Sequence, residues 1–389
     1  MPNSIHGQKL NKGEWAEFYV MLKLLGEGKL YAADNLLRKN YNYYLNILKV
    51  IREEIEGNVL EYAINDNDNT VSVIEQQTGR VLVTSGMNEY DYYADSLFND
   101  IQNKRGPSVD APDEVCDFAK IVYVSKPKAP AVKSLERQFG GKNDIFIEAR
   151  DSHTSITSVM GFSIKSRFAN NPTLFNAGSS SQFLFDLSFC NDAVMNEFNA
   201  IFDVDRQGKI NRGWAKCKKY LEDNHISLSF ARTSNPIYND NLILVRETMP
   251  AILAWCVFDR LILSSSNYEV KETTERMATI NPLNVSNPDY FYEKAIKDFL
   301  MAGFTGMTAG RVWDGREQVN GGYIVVMDDG DILCYHSNDR ETFRDYLYRN
   351  TFYEYVDTKK YKWGYIEKNN QNEYHLPLNV SVRFSKKTR

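Results

Sequence analysis

The segment from Asp144 to Lys165 constrains the fold of this chain more than any other stretch. Two β-prone runs, DIFIEA and SVMGFSIK, flank the polar sequence RDSHTSIT, which predicts a β-hairpin that turns near residues 153–155. Because side chains alternate between the two faces of a strand, the isoleucines of DIFIEA can pack against the phenylalanine and isoleucine of GFSIK. The same alternation places Asp144 and Lys165 on the other face, roughly opposite each other.

A carboxylate and a lysine in this arrangement predict a metal-dependent phosphodiester-hydrolysing site. Carboxylates hold hard cations such as Mg²⁺ through oxygen, the cations polarise the phosphate and activate water, and a nearby lysine stabilises the developing charge. The pattern fits the restriction-type nuclease core D…(D/E)xK, with Asp144 as metal ligand and Lys165 as catalytic lysine. It departs from that core at Ser163, which stands in the acidic position. The alternative is a surface hairpin with ordinary charges.

Two further carboxylates are candidates for the ligand that Ser163 cannot supply. Glu148 shares a strand face with Asp144, and Ser163 itself is expected to orient a metal-bound water. Glu17 lies in a helix predicted over 13–25, on a face with apolar neighbours. A buried lone charge is costly, so Glu17 either points at the metal or supports the positive end of the helix dipole.

The pattern along the chain is α/β. We expect a β-meander over 58–86 and strands at 322–327, 331–336 and 378–384. Helices are predicted at 13–25, 31–56, 89–104, 112–121, 192–203, 212–224, 240–263, 289–302 and 339–349.

Composition restricts the possible functions without choosing one. The net charge of −5 does not indicate a nucleic-acid-binding chain, although a local basic surface is enough to bind DNA. No run of about 18 apolar residues is present and the first residues lack the apolar segment of a secretory signal, so we expect neither a membrane span nor export. The five scattered cysteines have no metal-ligand spacing and indicate a reducing cytoplasm.

Several segments resemble the HpaII-type family of Type II restriction endonucleases. They are NKGEWAEFYVMLKLLGEGKLYAAD, GFSIKSRF, NNPTLFNAGSSSQFLFDL, GGYIVVMDDGDILCYH, DRETFRDYLYRNTFYE and LPLNVSVRF. These segments follow one another in the expected order across nearly the whole chain. The resemblance therefore carries more weight than any single motif.

The resemblance implies a restriction-endonuclease-like PD-(D/E)xK fold, a central mixed β-sheet flanked by helices, with an α+β DNA-recognition region at the C-terminal end. We place the boundary near residue 205, between a catalytic region (1–205) and a recognition region (206–389). The implied activity is Mg²⁺-dependent cleavage of both strands of double-stranded DNA at a short palindrome, CCGG for the member that names the family. A DNA methyltransferase is the implied functional partner, and the symmetry of a palindrome favours a homodimer.

Two polar loops are candidates for DNA contacts. Asn and Ser side chains donate to phosphates and base edges, Arg reads guanine, and Gln and Asn read adenine. In and before the first loop the candidates are Arg167, Asn176, Ser179, Ser180 and Gln182. In the second they are Arg311, Trp313, Arg316, Gln318 and Asn320. Ordinary surface loops are the alternative in both cases.

Two other functions fit the same residues. A repair or junction-resolving nuclease could use the same core, although the large C-terminal half favours sequence recognition. A non-catalytic DNA-binding protein that has lost its metal site is the third possibility, and Ser163 keeps it open.

Overall fold

The structure is a computed structural model of the chain. It describes residues 5–34, 36–55, 57–104, 106, 108–128, 132–139, 143–166, 173–201, 214–263, 268–316, 321–336, 340–355 and 363–385. Within these ranges the fold is mixed α/β and contains a large mixed β-sheet.

The described strands and helices are given in chain order. The strands are β1 (Leu10–Asn11), β2 (Lys29–Ala33), β3 (Lys39–Ile55), β4 (Asn58–Asn65), β5 (Thr70–Glu75), β6 (Arg80–Gly86), β7 (Ser108–Val109), β8 (Ile145–Asp151), β9 (Thr157–Ser166), β10 (Thr173–Phe175), β11 (Phe183–Leu187), β12 (Leu228–Thr233), β13 (Gly322–Val326), β14 (Ile332–His336), β15 (Thr351–Glu354), β16 (Glu367–Lys368), β17 (Tyr374–Leu378) and β18 (Ser381–Phe384). The helices are α1 (Lys12–Glu27), α2 (Met87–Asn103), α3 (Asp113–Ile121), α4 (Lys133–Phe139), α5 (Asp192–Ala200), α6 (Trp214–Asp223), α7 (Pro236–Val245), α8 (Met249–Phe258), α9 (Val270–Ile280), α10 (Pro288–Thr305) and α11 (Arg340–Arg349).

The described chain divides into two compact units. The first contains residues 5–166 and 321–346, and the second contains residues 173–316 and 347–385. The chain thus leaves the first unit and returns to it, so strands β13 and β14 lie in the first unit's sheet. The boundary that we placed near residue 205, between a catalytic and a recognition region, concerns function and stays a prediction.

The first unit is built on a sheet in the order β2-β14-β13-β9-β8-β3-β4-β5-β6. An additional pairing between β2 and β3 closes the first six of these strands into a ring. The sheet is mixed, because β9 pairs with β13 and β2 pairs with β14 in parallel, whereas the other neighbours run antiparallel. Strand β9 therefore lies inside the sheet, between β8 and β13.

The predicted hairpin is present as β8 and β9, but its register differs from the prediction. Ile145 pairs with Phe162, so Asp144 lies opposite Ser163 and not opposite Lys165. The cause is the turn, where the Asp151 carboxylate accepts hydrogen bonds from two successive backbone N–H groups, each at 2.8 Å. A shift of two residues keeps every side chain on its predicted face.

The inward face of the hairpin packs against helix α1. Ile145, Ile147, Phe162 and Ile164 are all buried in one core with the apolar residues of that helix. The helix begins with a capping box between Asn11 and Glu14 and ends at a left-handed glycine, Gly28. These two caps fix the ends of the helix that carries Glu17, close to the predicted limits.

The predicted helix over 31–56 is wrong, because this segment forms β2 and β3. Leu45 and Ile47 are buried with the spacing of a strand, and a bulge between Ile47 and Lys49 delays the next buried side chain to Val50. The extra residue turns a period of two into a spacing of three, which imitates a helix.

The predicted helix over 240–263 is also wrong, since it is two helices. Helix α7 ends at Arg246, whose backbone is extended, and Pro250 lies in the first turn of α8, which continues as a π-helical turn to Leu263. Proline is favoured at the start of a helix and disfavoured inside one. The remaining predicted elements of the first unit, including the meander over 58–86, are confirmed.

The second unit contains two small sheets, β10-β18-β15 and β12-β11-β17-β16, together with helices α5 to α10. Its interior is aromatic, and the Phe175 ring lies 5.8 Å from Tyr238 and 5.5 Å from Phe299. No single described helix is both long and apolar enough to cross a membrane. The pair Pro236–Val245 and Met249–Leu263 meets the criteria only when joined across a bend of 108°.

Candidate active site

Three predicted site residues meet at the open end of the hairpin. Ser163 Oγ donates to Asp144 Oδ2 at 2.9 Å, and the backbone N–H of Ile164 donates to the same oxygen at 2.8 Å. Lys165 Nζ donates to Ser163 Oγ at 3.1 Å. The serine hydroxyl therefore links the lysine to the carboxylate, and Asp144 Oδ1 lies outside these hydrogen bonds.

Glu17 brings a second carboxylate to the same place from helix α1. Its side chain is buried, Oε1 lies 3.3 Å from Lys128 Nζ, and Oε2 has no hydrogen-bond partner in the described part of the chain. Burial and, to a smaller extent, the negative charge of Asp144 together raise the pKa of Glu17 to about 7 against the opposing effect of Lys128 and Arg52. A Coulomb interaction between like charges acts over several ångströms, so this effect places the two carboxylates in the same part of the first unit.

The residues present suit a hard divalent cation. Mg²⁺ is commonly held by one or two protein carboxylates, with water completing its coordination. Glu17 and Asp144 supply two carboxylates, and the buried, unpartnered Glu17 Oε2 is an oxygen that a cation would satisfy. Within the described ranges no three His, Cys, Asp or Glu side chains come together, so the site differs from an all-protein metal cage.

Glu148, the other candidate ligand, does not join this group. It shares the strand face with Asp144, but four residues of strand separate the two by roughly 13 Å. Its carboxylate lies 2.9 Å from Lys49 Nζ, which also binds Glu61 at 2.9 Å. Glu148 is thus part of an ion-pair network elsewhere on the sheet.

The sequence reasoning missed Lys128, which completes the charge balance of the site. Burial lowers the pKa of this lysine, but the charges of Glu17 and Asp144 outweigh that effect and the pKa is raised. Its segment, SKPKAPAVK, is distinctive in sequence because it combines lysines with prolines. Nothing in that composition says which carboxylate the lysines face.

The elevated pKa of Glu17 predicts a pH-dependent stability in metal-free protein. The pKa rises from an ordinary value of 4.5 to about 7 on folding, so the native state binds the extra proton. The stability is present below pH 4.5 and is lost as the pH rises through 7. We expect Glu17→Gln to exceed the wild type by up to about 3 kcal/mol at pH 8 and to match it near pH 4.5. Urea unfolding in EDTA measures this, and a constant difference across pH would contradict it.

The first predicted DNA-contacting loop lies in the second unit and is held by hydrogen bonds within that unit. Asn176 and Ser179 are exposed, Ser180 is half-buried and Gln182 is buried. The buried amide of Asn379, a residue that sequence reasoning missed, donates to Gly178 O at 2.8 Å and so fixes the loop. The side chains of Asn176, Ser179 and Ser180 are the ones available to a ligand.

The second predicted loop is built around Trp313, which points inward. The indole is buried and donates to Arg316 O at 3.1 Å. Asn241, on α7, donates to the carbonyls of Thr308 and Arg311 and accepts from Trp313 N. Trp313 and Asn241 therefore hold the loop, while Arg311 and Arg316 are exposed.

The two loops are neighbours within the second unit. A Cβ on Gly310 would lie 3.7 Å from Ser180 Oγ, so the serine turn and the arginine loop meet there. Arg167, Gln318 and Asn320 lie outside the described residues. The DNA-contacting role of all these side chains stays a prediction.

Comparison with known proteins gives two concordant matches. The profile of the family described as HpaII restriction endonuclease matches residues 11–384. The Type II restriction enzyme HpaII from Haemophilus parainfluenzae is 30% identical over 376 residues, which cover 96% of this chain and 98% of that enzyme. No solved structure matches the chain significantly.

Proposed function

The chain belongs to the HpaII restriction endonuclease family, and we propose that it cuts double-stranded DNA at the site formed by Asp144, Ser163, Lys165 and Glu17. As a Type II restriction enzyme it is a site-specific deoxyribonuclease. The observation that carries the site assignment is the hydrogen-bonded series from Lys165 through Ser163 to Asp144, beside the second carboxylate of Glu17. The site is a variant of the PD-(D/E)xK core in which serine replaces the second acidic residue.

The residues divide the chemistry of hydrolysis between them. Mg²⁺ bound here supplies positive charge that polarises the scissile phosphate and makes water more acidic. Asp144 Oδ1 and Glu17 Oε2 are the oxygens offered to it. Ser163 holds the Lys165 ammonium on the Asp144 side of the site, where its charge stabilises the negative charge that develops on the phosphate oxygens. Ser163 thus acts on the lysine and the carboxylate at once.

Substrate recognition is assigned to the two neighbouring loops of the second unit. We propose a short palindromic target, related to CCGG, read by exposed side chains of these loops. One active site cuts one strand, so cutting both strands of a palindrome takes either a two-fold dimer or sequential nicking. The symmetry of the palindrome favours the homodimer, which we propose. A methyltransferase of the same specificity would protect the host DNA.

Digestion of unmethylated plasmid DNA with purified protein and Mg²⁺ tests this function. Discrete fragments that share one end sequence are expected. Cleavage confined to branched DNA would favour the junction-resolving alternative, and binding without any cleavage would favour the non-catalytic one. Protection of the plasmid by a methyltransferase of the mapped specificity is the matched control.

Replacement of Ser163 by alanine should slow cleavage without abolishing it. The change removes the hydroxyl that accepts from Lys165 and donates to Asp144, while leaving both charged groups in place. A hydrogen bond to a charged group is worth about 1.5–3 kcal/mol, which corresponds to a rate loss of about tenfold to a hundredfold. Single-turnover cleavage measures the loss. A rate equal to that of the wild type would mean that the serine has no part in positioning Lys165.

Arg311→Ala and Arg316→Ala should each weaken binding to the cognate sequence. Both side chains are exposed on a loop that Asn241 and Trp313 hold in place. An arginine that reads guanine contributes about 1–3 kcal/mol and its loss relaxes specificity at one position. Gel-shift titrations in Ca²⁺ with cognate and single-substituted duplexes measure both effects. An unchanged sequence preference in both variants would remove this loop from the recognition surface.

A further inference from the structure

Lys128 pairs with Glu17, one of the two carboxylates that we propose as metal ligands. Its ammonium lies 3.3 Å from Glu17 Oε1 and also interacts with the charge of Asp144. We propose that Lys128 neutralises this carboxylate pair before a divalent cation binds, and that it is released to a DNA phosphate when the cation takes Glu17. The inference rests on the proposed function of the site.

The segment that carries Lys128 is hydrogen-bonded to buried charged side chains of strand β3. The Glu54 carboxylate accepts from Ser125 N at 2.7 Å and from Ser125 Oγ at 2.8 Å. Arg52, also buried, donates to Glu54 Oε1 at 2.5 Å and to Lys126 O at 2.6 Å. Paired, hydrogen-bonded buried charges of this kind fix local geometry.

The far end of the same loop is tied to the neighbouring residue of β3. Glu53 Oε2 accepts from the backbone N–H of Lys133, the first residue of α4, at 3.4 Å. Two consecutive glutamates of β3 thus bind Ser125 and Lys133, which precede and follow Lys128 in the sequence. The position of Lys128 at the active site is therefore set by the fold rather than by a chance surface contact.

The side chain of Lys128 lies mostly in solvent. It is 59% exposed, whereas Glu17 is 10% exposed. A lysine carries a compact charge on a flexible four-carbon stem, so the ammonium can change partner while the backbone stays in place. Solvent screens the exposed ammonium of this pair although the carboxylate is buried, so a doubly charged cation can compete with the lysine for Glu17.

The consequence of displacement is a second cation beside the scissile phosphate. Once the cation has taken Glu17, the Lys128 ammonium loses its carboxylate partner in a site that now carries more positive charge. The Glu14 carboxylate also interacts with Lys128, and in the DNA complex we assign the released ammonium to the DNA backbone, which lysine contacts through its point charge. Lys128 would then contribute to substrate binding only in the metal-loaded enzyme.

Calorimetric titration of Ca²⁺ into DNA-free protein tests the first half of the proposal. Lys128→Ala should bind Ca²⁺ about fivefold more tightly, since the cation no longer competes with an ion pair of this strength. Lys126→Ala is the matched control, because this exposed lysine of the same segment contributes only its backbone carbonyl to the contacts described above. The Ca²⁺ affinity of this variant should equal that of the wild type. Equal affinities for wild type and Lys128→Ala would overturn the proposal.

DNA binding in Ca²⁺ and in EDTA tests the second half. In Ca²⁺, the slope of log K against log salt should fall by about one in Lys128→Ala, as expected for one lost phosphate contact. In EDTA the slopes of the two proteins should agree, and a loss of slope in both conditions would overturn the release step. Asp144→Asn separates the failures. If it leaves Ca²⁺ binding unchanged, the proposed active site is wrong; if it weakens Ca²⁺ binding while Lys128→Ala does nothing, only this inference fails.

Discussion

Lys165→Ala should abolish DNA cleavage and leave specific DNA binding intact. Lys165 Nζ is held by Ser163 Oγ, so its charge is fixed next to the carboxylate of Asp144 before substrate arrives. Loss of one preorganised charge-stabilising group costs about 10²–10³ in rate, and more when the group also assists the attacking water. Single-turnover cleavage with Mg²⁺ measures the rate, and titration of cognate duplex in Ca²⁺ measures binding.

Lys49→Ala is the control for this experiment. Lys49 is a partly buried lysine of the same sheet, and it is bound to Glu148 and Glu61. Its removal breaks an ion-pair network without touching the proposed site, so cleavage should continue near the wild-type rate. Normal cleavage by Lys165→Ala would contradict the site assignment. Loss of cleavage by Lys49→Ala would make Glu148 a candidate metal ligand again.

The alternation of side chains along the hairpin was enough to predict which face of the sheet each candidate site residue lies on. The isoleucines and Phe162 had to be buried, and that placed Asp144 and Lys165 on the other side. The register was not predictable from alternation, because a shift of two residues preserves every face. It depends on the turn, where Asp151 accepts the N–H groups of His153 and Thr154.

The rest of the fold depends on contacts that local sequence does not record. Strand β3 contains a bulge that imitates helical spacing, and β13 pairs with β9 although more than 150 residues separate Lys165 from Val325. Lys128 reaches the site because Ser125 is tied to Glu54, a partner far away in the chain. Glu17 was accessible to prediction, since a carboxylate on an apolar helix face implies a partner.

Serine in place of an acidic residue also changes the electrostatics of the site. A third carboxylate at position 163 would add negative charge beside Asp144 and Glu17, and burial together with the charge of Asp144 already raises the pKa of Glu17 to about 7. The neutral hydroxyl instead accepts from the lysine and donates to the carboxylate, which an ionised acid cannot do. The candidate site thus combines two carboxylates, Asp144 and Glu17, with two lysines, Lys165 and Lys128.

Asp144→Asn should be as damaging to cleavage as the loss of Lys165, and for a different reason. The asparagine oxygen can still accept from Ser163 and from the Ile164 N–H, so the hairpin keeps its geometry, but the charge that holds the cation is gone. We therefore expect cleavage to fall by at least about 10³-fold and Ca²⁺ affinity to fall with it. Removal of this negative charge should also lower the pKa of Glu17, so the decline of metal-free stability should end at a lower pH and be smaller in total.

The matched control for this prediction is Asp151→Asn, at the other end of β8. Asp151 binds Tyr43 and the turn N–H groups, and these contacts hold the pKa of its carboxyl low despite its burial. Its replacement should reduce stability, mostly above the ordinary carboxyl pKa, and leave the cleavage rate of the folded enzyme unchanged. If Asp151→Asn is inactive while Asp144→Asn cuts DNA, the metal lies at the turn and not at the open end of the hairpin. The two positions are seven residues apart, at opposite ends of β8, so this comparison decides at which end of the strand the cation binds.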